Sequence, residues 1–111
     1  MTQLEKLNDY LWRAYEKVIP PNTSAPLAFI VRSKTEETAM QVSAALKRQE
    51  CQVVEISKRR WPFGRRWQVV ARSAPVPLDR TTIQGWSQQL TQSVQGTDAV
   101  FTHWVPLLPG A

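Results

Sequence analysis

Few side chains in this 111-residue chain are of a type that could carry out chemistry. His103 is the only histidine. It falls on an expected strand beside Phe101 and Trp104, and the pattern supplies neither a nucleophile for it to activate nor a third group to orient its ring. Cys51 is the only cysteine. Glu50 precedes it and no cation adjoins it, so nothing in the sequence lowers the thiol pKa, and it cannot form an internal disulfide. No His/Cys set has zinc-ligand spacing. The glycines, at 64, 85, 96 and 110, are too scattered for a phosphate-cradling loop. Glu36-Glu37 and Glu50/Glu55 read as helix-start and solvent carboxylates. These residues point to no reaction, no metal and no cofactor, and so to a protein that is not an enzyme.

Binding chemistry is concentrated in one stretch, Cys51 to Ser73 (CQVVEISKRRWPFGRRWQVVARS). Two runs rich in β-branched and aromatic residues flank a Pro/Gly-bearing turn, which predicts an antiparallel hairpin. Its tip, residues 58–66, carries five cations, two aromatics and no acid. Lys58, Arg59, Arg60, Arg65 and Arg66 are the candidate contacts to phosphate or carboxylate. Trp61 and Phe63 are candidate anchors, able to stack on bases or to fill a protein pocket. The RNP1 pattern of an RNA-recognition motif does not occur at Arg66-Trp67-Gln68-Val69-Val70-Ala71-Arg72.

The net charge of +5 is uneven. Residues 1–55 hold seven basic and seven acidic side chains, whereas residues 56–111 hold seven basic and two acidic, so the second half carries the whole excess. An excess on one side of the chain suggests an anionic partner. No apolar run approaches the roughly 20 residues that span a bilayer. Glu5 and Asp9 interrupt any signal-peptide layout. The expectation is a cytoplasmic protein with no membrane association.

Elements that would position the hairpin follow from hydrophobic spacing. Residues 2–18 predict an amphipathic helix, with Thr2 and Glu5 as a capping box. Its apolar stripe is Leu4, Leu7, Leu11, Ala14 and Val18, widened on one side by Trp12 and Tyr15, and Pro20-Pro21 stops it. A polar linker reaches Pro26, and LAFIVR (27–32) reads as a strand. Ser33 with Glu36 predicts a second helix from Lys34 to about Gln49, its inner face formed by Ala39, Val42, Ala45 or Ser43, and Leu46, with Met40 at the margin. After the hairpin, Asp79 caps a third helix with Leu78 and Ile83 as a hydrophobic staple, and Gly96 ends it in a left-handed conformation. Residues 98–105 make a last strand. The resulting expectation is an α+β, ferredoxin-like β-α-β-β-α-β sandwich with a four-stranded antiparallel sheet over residues 27–105. A helix (1–19) and a Pro-rich linker (20–26) precede it, and a flexible tail (106–111) follows.

With that order in place, the chain resembles the regulator of ribonuclease activity B (RraB-like) family over about residues 27–105. The resemblance rests on LAFIVRSKTEETAMQVSAAL, on a basic turn followed by Trp67-Gln68-Val69-Val70-Ala71, on Val76-Pro77, and on Gly96-Thr97-Asp98. It implies a small ferredoxin-like protein that binds and restrains the endoribonuclease RNase E, with no catalytic residue to carry over. Three functions are therefore expected, in this order: a regulator docking its basic-aromatic hairpin on an acidic protein or ribonucleoprotein, a direct binder of RNA or single-stranded DNA, and a structural subunit docking through its N-terminal helix.

Overall fold

The computed structural model describes the backbone of residues 3–20, 22–61 and 64–108, and the side chains of these except at residues 3, 4, 59–61, 64 and 65. The chain is α+β: α1 (Gln3–Tyr15), β1 (Ser24–Ala25), β2 (Leu27–Ser33), α2 (Glu36–Arg48), β3 (Gln52–Trp61), β4 (Gly64–Arg72), β5 (Val76–Pro77), α3 (Arg80–Val94) and β6 (Val100–Pro106). Four strands form one sheet in the order β3-β4-β2-β6, every neighbouring pair antiparallel, and β1 and β5 form a second sheet of two. The linker and the extended stretch before α3 thus pair with each other, Ser24 opposite Pro77 and Ala25 opposite Val76.

Strand alternation divides the main sheet into two faces. Leu27, Phe29 and Val31 of β2 share one face with Val69 and Ala71 of β4 and with Phe101 and Trp104 of β6. These residues are buried with Ala39, Val42 and Leu46 of α2 and Ile83, Leu90 and Val94 of α3 in one core. Phe29 stacks on Trp86 of α3, with ring centroids 5.3 Å apart. Both helices therefore lie on the same face, α2 over β3 and β4 and α3 beside β6.

Helix α2 starts later than Ser33-Glu36 spacing suggests. Thr35 is the cap, its Oγ1 accepting from the Thr38 amide at 3.2 Å, and the helix begins at Glu36. Ser33 is the last residue of β2, and its hydroxyl donates to the Thr35 carbonyl instead. Thr38, Ala39, Val42, Ser43 and Leu46 face inward, and Met40 is exposed. The helix ends in a Schellman motif: Cys51 N–H donates to the Leu46 carbonyl (3.0 Å) and Glu50 N–H to the Lys47 carbonyl (3.0 Å). Glu50 occupies the left-handed position, φ 65°, that glycine usually takes. Asp79 caps α3 by accepting from the Thr82 amide at 2.7 Å, and Gly96 follows that helix at φ 81°.

The inward edge of α1 departs from the stripe expected of it. The helix ends at Tyr15, so Val18 lies beyond it, and Ala14 and Val18 are both exposed. Leu11, Trp12, Tyr15 and Ile19 pack on the core, and Asn8 among them is buried. Thr2, proposed as the cap of α1, lies outside the described residues. At the other end β6 runs to Pro106, which is buried opposite Leu27, and Leu107 N–H donates to the Pro26 carbonyl.

A basic ribbon and the open sheet face

Strands β3 and β4 are longer than the sheet body they belong to. Strand β2 supports β4 only as far as the Ser33–Trp67 pair. The ladder between β3 and β4 continues through Arg59–Arg66, Arg60–Arg65 and Trp61–Gly64, where β4 has no β2 residue beside it. The hairpin therefore overhangs the sheet as a two-stranded ribbon. Of the residues expected to bind a partner, the register brings Lys58, Arg59, Arg60, Trp61, Arg65 and Arg66 together on this ribbon. Phe63 and Pro62, between Trp61 and Gly64, lie outside the described residues.

Two of the ribbon's register pairs are arginine opposite arginine, Arg59–Arg66 and Arg60–Arg65. Like charges directly opposite each other across strands are destabilising. At the base of the ribbon, Lys58 is opposite Trp67, and its ammonium lies 5.9 Å from the indole ring centroid, within cation–π range. Trp67 packs against the core and ties the ribbon to it.

The face of the main sheet opposite the helices is built from alternate residues: Gln52, Glu55 and Ser57 of β3; Arg66, Gln68, Val70 and Arg72 of β4; Ala28, Ile30 and Arg32 of β2; and Val100, His103 and Val105 of β6. Gln68 donates to Glu55 at 3.2 Å, and Arg72 to Gln52 at 2.6 Å. Burial and the Arg32 guanidinium hold the His103 pKa below its usual value, so the imidazole is neutral near pH 7. Its Nδ1 lies 3.0 Å from Thr102 Oγ1, and its register partner is Ile30. The Thr102 hydroxyl donates to the Ile30 carbonyl at 2.9 Å. No Phe, Tyr or Trp of β2, β4 or β6 lies on this face.

Helix α1 leaves that face open, because it lies on the same side of the sheet as α2 and α3. Asn8 Oδ1 accepts two hydrogen bonds, from Ser87 Oγ of α3 (3.0 Å) and from the Trp104 indole N–H of β6 (3.1 Å). Tyr15 packs on the Trp104 ring at 5.6 Å. Asp9 pairs with Arg80 at the start of α3 and with Arg13 one turn along its own helix. Asn8 is not legible in the sequence, because a polar residue among leucines resembles a solvated position. Its only signal was its place, one turn from both Leu11 and Trp12.

Burial raises the Cys51 thiol pKa, so the sulfur is held as the weakly reactive thiol. Among the described residues, no group of three or more His, Cys, Asp and Glu could hold a metal ion. No helix among them is long and apolar enough to cross a membrane. No protein-family model matches the chain, and no curated protein matches it.

Proposed function

We propose that this protein is a non-catalytic, cytoplasmic binding module that docks its overhanging basic ribbon on an acidic protein surface. The observation that carries the reading is the pair of arginine-on-arginine registers, Arg59–Arg66 and Arg60–Arg65, in a ribbon segment with no acid. An anionic partner would bring opposite charge to this cluster of cations. Trp61 and Phe63 are the proposed anchors beside that charge. The frame is proposed to be ferredoxin-like, supported by the order β3-β4-β2-β6 with α2 and α3 on one face. The resemblance to the RraB-like family makes an RNase E-type endoribonuclease, or its ribonucleoprotein assembly, the specific candidate partner.

Direct binding of RNA or single-stranded DNA is the second reading, favoured by Arg32, Arg66 and Arg72 on the open face beside the ribbon. Base stacking on the sheet finds no support, because the two central strands present no Phe, Tyr or Trp there. Docking through a released N-terminal helix is a third reading, and the two hydrogen bonds on buried Asn8 argue against release.

The test is a pull-down from a cytosolic lysate, with and without nuclease, comparing wild type with the Arg59/Arg60/Arg65/Arg66→Ala variant. Proteins retained after nuclease but lost with the variant are the expected result. Loss of all partners on nuclease treatment would move the conclusion to nucleic acid, and an identical set from both proteins would make the ribbon ordinary solvated surface.

A further inference from the structure

We infer that the outer edge of β3 receives an extended acidic segment of the partner protein as a fifth strand. This rests on the proposed docking of the ribbon and specifies its mode and the partner's chemistry. Strand β3 is an edge of the main sheet and, at ten residues, its longest strand. Its inner side is taken by β4, and no strand among the described residues pairs with its outer side. An edge of this kind presents a row of backbone donors and acceptors to any extended chain.

Edge strands are normally protected, and the protection here is partial. The β3–β4 register shifts between Val53 and Glu55, and such a bulge disrupts strand pairing where it occurs. From Glu55 to Trp61 the register is unbroken, opposite Val70 to Gly64. That seven-residue stretch includes Lys58, Arg59 and Arg60 in succession. A second copy pairing edge to edge would bring these cations against each other, a repulsive arrangement. A strand carrying acids brings opposite charge to this cationic stretch. The other sheet edge, β6, is shorter, irregular in register and free of Asp, Glu, Lys and Arg, so it offers no such match.

The test uses the full chain and a fluorescein-labelled nonapeptide of alternating Thr and Glu. Two derivatives are N-methylated at one or the other alternate set of residues, which removes one edge of backbone donors at constant charge. Fluorescence anisotropy should show binding of the parent peptide, with one derivative weakened at least tenfold and the other much less. In 15N-resolved spectra the largest shifts should fall on amides from 55 to 61. If both derivatives bind like the parent and all three lose affinity for the Arg59/Arg60/Arg65/Arg66→Ala variant, strand addition is wrong while ribbon docking stands. Equal binding of the parent to wild type and that variant would overturn both. No binding by any of the peptides would overturn strand addition, as would tenfold tighter binding of a nine-nucleotide single strand.

Discussion

At the scale of single residues, Asn8 shows how one polar atom can decide where a helix goes. Its Oδ1 serves two donors, and the Ser87 and Trp104 side chains that supply them are fully buried. Asn8→Ala leaves both donors without an acceptor, at about 1–3 kcal/mol for each buried group. The expected loss is roughly 2–4 kcal/mol in a urea titration, allowing for partial relaxation. His103 sets a different expectation. Its folded-state pKa lies below the usual value of 6.5. Well above pH 6.5 the ring is neutral in both states and has no effect on stability. As pH falls below that, the unfolded chain takes up a proton that the folded chain resists, so stability declines until the folded pKa is passed. Denaturation midpoints should therefore drop between pH 7 and pH 5, and His103→Gln should flatten that slope. Asp79 does not obscure this window: hydrogen bonds from Thr82 lower its pKa below the usual 3.8, so its stabilising effect is retained until pH falls through that lower range.

At the scale of elements, most of the order of helices and strands could be read from the chain, and the errors have identifiable causes. Asp79 and Gly96 were legible because side-chain capping and a positive φ each have a strong residue signature. The start of α2 was not, because Ser33 and Thr35 are both capping types and only the strand pairing of Ser33 with Trp67 excludes the former. The end of α2 near Gln49 was legible, but the left-handed turn after it was not, since Glu50 stands where glycine would have announced it. That position yields a prediction. A non-glycine residue at φ 65° bears a steric cost of roughly 1–2 kcal/mol, partly offset in a glycine variant by the greater entropy of its unfolded chain. Glu50→Gly is expected to raise stability by about 0.5–1 kcal/mol, measured as a shift in urea midpoint at unchanged slope. The hairpin's composition was plain in the sequence; its overhang was not, since that depends on where β2 stops supporting β4.

At the scale of the whole molecule, the asymmetric charge becomes a structural tension. The balanced half contributes α1, β2 and α2 to the core, whereas the excess +5 belongs to the half that contains most of the ribbon. Repulsion across that ribbon is sensitive to salt, because the Debye length falls from about 30 Å at 0.01 M to 8 Å at 0.15 M. Wild-type stability should therefore rise as NaCl is added from low ionic strength. Arg65→Glu places an acid opposite Arg60 and converts one repulsive register pair into an attractive one. It should raise stability at low salt by about 0.5–1 kcal/mol and weaken the salt-dependent gain. Lys17→Glu supplies the comparison, since it changes net charge equally at an exposed position outside the ribbon. A gain of the same size from Lys17→Glu would assign the effect to net charge, and the ribbon would then carry no local strain for a partner to relieve. A gain confined to Arg65→Glu, together with weaker capture of acidic partners, would mean that the same repulsion that lowers the stability of the free protein prepares its ribbon for binding.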